Sequence, residues 1–106
     1  MTLNVLPEFE SDAIEIENRL ESEHFGYGDD FRSLLNVIIE KVVDKPFRFG
    51  RADDGPDTVE AREGYIRRFE YRVIYVLSHG IIFMLALVHA RRRPGSWTSR
   101  LTDLPS

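Results

Sequence analysis

Arg67-Arg68-Phe69-Glu70-Tyr71-Arg72-Val73-Ile74-Tyr75, then Gly80-Ile81-Ile82-Phe83-Met84-Leu85-Ala86-Leu87-Val88, then His89-Ala90-Arg91-Arg92-Arg93-Pro94-Gly95-Ser96-Trp97: these neighbouring runs decide the fold. In the first, Phe69, Tyr71, Val73, Tyr75 and Leu77 alternate with Arg68, Glu70 and Arg72, and this period of two predicts a strand over 67–77. Ser78-His79-Gly80 supplies the turn of a hairpin. The run 81–88 is apolar at every position, which predicts a central strand covered on both faces. That strand leads straight into three arginines, so guanidinium groups gather at the mouth of a small sheet.

Working outward, residues 59–66 read as a weaker strand. Residues 46–58, with two Pro, two Gly and three Asp, read as a loop from which Phe47 and Phe49 tuck back toward the core. Before the loop, Phe31, Leu34, Leu35, Ile38, Ile39, Val42 and Val43 follow the i, i+3, i+4, i+7 pattern of one broad helical stripe, ended by Pro46 and opened by Asp29 as N-cap. Phe9, Ala13, Ile16 and Leu20 form the stripe of an earlier helix, with Glu8, Glu10 and Asp12 in its first turn complementing the helix dipole. The glycines of Phe25-Gly26-Tyr27-Gly28 make the link short, so the two helices should lie antiparallel as a hairpin. Residues 2–6 read as a short opening strand with Leu3 and Val5 on one face, stopped by Pro7. The predicted order is strand, helix, helix, strand, strand, strand: an α+β fold with a helical hairpin packed on an antiparallel sheet.

The chain has 106 residues, which predicts one domain spanning 1–106 that buries about two thirds of its unfolded surface. With no cysteine it has no disulfides and no thiolate chemistry, which suits a reducing, cytoplasmic setting. No secretory signal opens it, and an eight-residue apolar run is far short of the roughly 20 needed to span a membrane. Its net charge of −4 hides an asymmetry. Residues 1–64 hold seven Lys/Arg against sixteen Asp/Glu, a net of −9; residues 65–106 hold seven arginines against two acids, a net of +5. Such a dipolar chain points to a directional partner rather than a uniform nucleic-acid binder, unless the acidic helices merely solvate their outer faces. All seven late cations are arginine, the residue suited to bidentate contact with carboxylate or phosphate.

The order of these motifs resembles the RelE/ParE superfamily of toxins from type II toxin–antitoxin systems, often labelled plasmid-stabilisation proteins. The likeness runs from about Leu3 to Trp97. Leu6-Pro7-Glu8 through Asp12 is similar to the family's entry into its first helix. Gly26-Tyr27-Gly28-Asp29-Asp30-Phe31 is similar to its Gly-Leu-Gly-x-x-Phe link, and Asp44-Lys45-Pro46 to the end of its second helix. Ala61-Arg62, the run from Arg68 to Tyr75, and His89-Ala90-Arg91-Arg92-Arg93-Pro94 with Trp97 match its sheet. Three departures stand out: Phe69-Glu70-Tyr71 replaces the usual Phe-Pro-Tyr, Arg19-Leu20 replaces an aromatic pair late in the first helix, and the chain is acidic where many members are basic.

The resemblance implies one of two activities. ParE-like members bind and inhibit a macromolecular target, DNA gyrase, without catalytic residues, and the His-Ala-Arg-Arg-x-Pro ending looks closer to that side. RelE-like members are ribosome-dependent mRNA endonucleases, for which His89 would be the acid or base, with Arg68, Arg72 and Arg91 as phosphate ligands and Trp97 or Tyr71 as a stacking surface. A degenerate, non-toxic antitoxin-binding module is a third reading. In each case the implied partner is a cognate antitoxin, as part of a heterotetramer or beside a toxin homodimer, engaged by Arg67, Arg68, Arg72, Arg91, Arg92, Arg93 and Trp97. The residues themselves also allow plainer roles. His89 can be a hydrogen-bonded core-edge residue, Trp97 can pack the tail onto the sheet, and one of Arg91–Arg93 can pair with Glu70, Asp53 or Asp54. No metal-binding spacing or phosphate loop occurs, so no metal or cofactor is expected.

Overall fold

A computed structural model describes residues 1–104. The chain runs β1 (Thr2–Val5), α1 (Pro7–Glu23), α2 (Tyr27–Asp44), β2 (Glu60–Ile66), β3 (Tyr71–Ser78), β4 (Ile81–His89) and a closing 3-10 turn (Thr98–Asp103). The strands form one sheet in the order β1-β4-β3-β2, which puts the apolar strand in the interior of the sheet, as its composition predicts. No helix among the described residues is long and apolar enough to cross a membrane.

The sheet is mixed rather than antiparallel throughout. β2, β3 and β4 form an antiparallel meander, but β1 lies parallel to β4. The helical hairpin and the loop after it carry the chain across the whole sheet, so first and last strands end side by side and point the same way. A parallel pair needs such a long crossover.

Periodicity places both helices correctly. Phe9, Ala13, Ile16 and Leu20 of α1, with Phe31, Leu35 and Val42 of α2, are buried against the sheet, while Val43 at the end of the second stripe is exposed. Arg32 locks the pair, donating to both oxygens of Glu10 and, through Nε, to Glu17 at 2.6 Å. The start of α2 differs from expectation. Gly26, not Asp29, is the N-cap, at φ 90, because the chain reverses so sharply there that only a left-handed residue fits. Asp29 sits in the first turn and meets the dipole instead.

The strand predicted over 67–77 starts late. Residues 67–70 are the turn between β2 and β3, closed by the Glu70 amide donating to the Arg67 carbonyl, with Glu70 at φ 60. Arg67 and Arg68 therefore stand on a turn rather than in the ladder. From Tyr71 onward the alternation holds: Tyr71, Val73, Tyr75 and Leu77 face the helices, while Ile74 and Val76 face away.

The face turned from the helices is covered by the chain itself. Ala52 and Val59 of the loop and Trp97, Leu101 and Leu104 of the tail pack on Ile74, Val76, Phe83, Leu85 and Val88. Of the two loop phenylalanines, Phe49 packs against the core, while Phe47 is 58% exposed with Arg62 over its ring. The indole of Trp97 lies so close to Gly55 that a Cβ there would sit 2.6 Å from Trp97 Cη2. Gly55→Ala is expected to push the indole outward, costing about 1–3 kcal/mol and red-shifting the emission of the only tryptophan. An unchanged spectrum and melting temperature would contradict this packing.

Candidate functional site: the arginine rim and its groove

One irregularity sets the geometry at the end of β4. Ile74 pairs with Ala86 but Tyr75 pairs with Met84, so Leu85 is an extra, bulged residue. The bulge shifts the phase of the strand. Ile82 and Met84 face the helices before it, and Leu87 faces them after it. His89 follows Leu87 onto the helix side, opposite Tyr71, with the two rings edge to face at 5.1 Å. Without the bulge His89 would point toward the tail instead.

Around this pair the fold opens a groove. Its inner part, a concavity of about 170 Å³, lies between α1, β4 and the tail, with Arg19, Tyr71, His89, Arg92 and Ser96 on its walls. A wider part of about 480 Å³ continues past Arg19 and Tyr71 to Tyr27, Arg68 and Phe69. Arg19 shares the groove with Glu15 and Glu23, its neighbours one turn along the helix. It donates through Nη2 to the Tyr71 hydroxyl and makes no ion pair among the described residues. His89 Nδ1 accepts the Arg91 amide hydrogen at 3.1 Å, so the neutral ring keeps its proton on Nε2. In that state His89 can donate a hydrogen bond into the groove but has no lone pair free there to take a proton.

The expected site residues divide into two groups. Arg72 and Trp97 are structural. The Arg72 guanidinium grips Asp54 with two hydrogen bonds at 2.7 and 2.9 Å and gives Nε to Glu63 at 2.6 Å. Trp97 is 2% exposed, and its Nε1 donates to Asp54 Oδ2 at 3.0 Å. Neither can meet a phosphate or a base, because a carboxylate 18 residues before Arg72 has taken the one and the sheet has covered the other. The Arg72 guanidinium holds the Asp54 carboxyl well below the usual carboxylate range, helped by the Gly95 amide and the indole. The Asp54 carboxylate, and after it Glu63, push Arg72 upward. Arg68 is half committed: it pairs with Asp30 at 2.9 Å and lies over the rings of Tyr27 and Phe69.

Arg67, Arg91, Arg92 and Arg93 remain. All four are exposed, and none has an ion pair among the described residues. Pairing of Arg91–Arg93 with Glu70, Asp53 or Asp54 does not occur. The strand ends at His89 and the chain turns there, the Arg92 amide donating to the His89 carbonyl, so strand alternation no longer governs where these side chains point. Residues absent from the sequence-based set also line the groove, among them Arg19, Tyr27, Phe69 and Ser96. Glu15 and Glu23 on either side of Arg19 make it look like part of a solvated helix face, and only the fold brings it over Tyr71.

Compared with known proteins, the chain matches no family model, and no curated protein resembles it significantly in sequence. What can be argued about its activity therefore rests on the groove and the rim. The rim offers exposed positive charge, while the groove sets the donors of Arg19, Tyr71 and His89 beside an aromatic wall and the carboxylates of Asp12, Glu15 and Glu23.

Proposed function

We propose that this chain is the toxin of a type II toxin–antitoxin pair, built like the RelE/ParE superfamily and acting in the ParE manner. It binds and inhibits a macromolecular target such as DNA gyrase, and an acidic antitoxin neutralises it. The β-α-α-β-β-β order with a helical hairpin on one face of the sheet agrees with what the sequence resemblance implies. The observation that carries the reading is the contrast among the arginines. Arg72 is consumed inside the fold, whereas Arg67, Arg91, Arg92 and Arg93 stand exposed without a carboxylate. Exposed charge of this kind steers and orients a macromolecular partner.

A second reading, a RelE-like mRNA endonuclease, draws on the Arg19–Tyr71–His89 cluster. Two observations weigh against it: Arg72 and Arg68 already hold carboxylates, and the Arg91 amide occupies the nitrogen with which His89 would act as base. A third, non-toxic reading keeps only the antitoxin contact.

Induced expression in a bacterium separates the three. The expected result is growth arrest with a DNA-damage response, together with loss of gyrase supercoiling in vitro while RNA stays intact. Arrest with mRNA cleavage in a translating extract would overturn the ParE-like reading in favour of the nuclease. Normal growth would overturn both in favour of the binding module.

A further inference from the structure

The two outer edges of the sheet are treated differently. That of β2 is covered by the preceding loop: the Ala52 amide donates to the Ala61 carbonyl at 2.9 Å, and the Glu63 amide to the Gly50 carbonyl at 3.1 Å. Arg51 and Arg62 add charge there, both paired with Glu60. A covering loop and charged side chains are common guards of a strand edge. β1 has neither. The Thr2 and Leu6 amides donate to the Gly80 and Met84 carbonyls, so Thr2, Asn4 and Leu6 address β4. Successive residues of a strand turn their main-chain groups to opposite sides, so Leu3 and Val5 present theirs outward. Those four groups have no partner among the described residues. No residue from 1 to 7 has a charged side chain, in a chain that is 30% charged. Leu3 and Val5, 37% and 39% exposed, lie beside Ile82 and Met84 on the helix face, and Asn4 lies beside Phe83 on the other.

We propose that β1 is a self-association edge, on which a second copy of this chain pairs antiparallel about a two-fold axis at Asn4. The inference goes beyond the reading above and does not rest on it. About that axis Leu3 faces Val5 of the second copy, and each such pair exchanges both main-chain bonds, so four bonds close the seam. The exposed Leu3 and Val5 side chains cover one another on the helix face. Asn4 meets its own counterpart in the close, non-hydrogen-bonded position. A carboxamide carries donor and acceptor together, so two of them pair reciprocally. The Asn4 amide is half-buried and makes no hydrogen bond among the described residues, which leaves it free for that contact. Charge argues the same way. A chain of net charge −4 repels its own copies, so self-association needs an uncharged seam, and β1 supplies one. The first acid after it, Glu8, already belongs to α1, and Glu10 is held by Arg32. Because the paired strands run in opposite directions, the arginine rims stand at opposite ends of the doubled sheet and both stay open. An edge of four residues buries less than the roughly 1,200 Å² of a stable complex, so the pair is weak and depends on concentration.

Sedimentation equilibrium of the full chain up to millimolar concentration is the first test, with an average mass expected to climb from 12.3 kDa toward twice that value. The natural chain has no cysteine, so a single introduced thiol reports the register. Facing Cα atoms in a non-hydrogen-bonded pair lie about 4.5 Å apart, within the range that a disulfide spans. Under a mild oxidant Asn4→Cys should therefore cross-link to itself about tenfold faster than Phe25→Cys, which is 91% exposed but far from the seam. Leu3→Cys, displaced from the axis, should cross-link more slowly than Asn4→Cys. Asn4→Asp sets two carboxylates face to face and should weaken association about tenfold. A constant mass of one chain overturns the proposal. So does association in which Asn4→Cys cross-links no faster than Phe25→Cys or Leu3→Cys, or which Asn4→Asp leaves intact. Exchange protection of the Leu3 and Val5 amides by the product of the neighbouring open reading frame, without any by concentration, would give the edge to that partner and overturn it too.

Discussion

Asp54→Ala is expected to lower the unfolding free energy by about 3 kcal/mol, and to release the C-terminal tail. Asp54 accepts from the Arg72 guanidinium twice, from the Gly95 amide at 2.8 Å and from the Trp97 indole. Its side chain is 13% exposed and that of Arg72 is 16% exposed, so water can replace few of these bonds. Removing the carboxylate leaves a largely buried guanidinium with Glu63 alone, and two further donors with no acceptor. Denaturant unfolding measures the loss, and a red shift of Trp97 emission reports the tail.

The pH dependence of the same contact has a definite sign. Because Asp54 titrates below its usual range in the folded chain, its contribution is complete above the ordinary carboxylate pKa of about 4. It is lost as pH falls from there toward the depressed folded value. The melting-temperature gap between the natural chain and Asp54→Asn should therefore be constant near neutrality and narrow below about pH 4. A gap that stays constant down to pH 2.5 would mean that Asp54 does not hold its proton off as described.

Arg91, Arg92 and Arg93 replaced together by glutamate should have the opposite profile: stability unchanged within about 0.5 kcal/mol, and partner binding largely lost. The three side chains are exposed and free of ion pairs among the described residues, so folding does not depend on their charge. Charge reversal moves the formal net charge from −4 to −10 and turns the steering field at the rim from attractive to repulsive. With the product of the neighbouring open reading frame as the antitoxin, the association rate should fall by about 100-fold at low salt, and the difference should shrink as salt is added. Unaltered association would remove the rim from the interface.

How far the sequence reveals this molecule depends on whether the deciding signal is local. The helical stripes through Phe9–Leu20 and Phe31–Val42 are local, and so is the wholly apolar run that makes β4 interior; all three are legible. The Leu85 bulge is not, because a run that is apolar at every position carries no phase in which a slip would show. Yet that slip is what turns His89 toward Tyr71. The late start of β3 depends on a left-handed Glu70, which strand alternation through Phe69 and Tyr71 conceals. The fate of Arg72 is hidden for another reason. Alternation puts it on the outer face correctly, but its carboxylate comes from a loop 18 residues away. Arg19 is the reverse case: its own helix marks it as solvated, and only the crossing of α1 over the end of β4 gives it a role.

Growth arrest by two variants tests most directly whether a charged rim, rather than a catalytic centre, carries the activity. The chain with Arg91, Arg92 and Arg93 all changed to glutamate should no longer arrest an induced culture, while His89→Gln should arrest it within a few-fold of the natural chain. Arrest that survives in the first and disappears in the second would contradict the account.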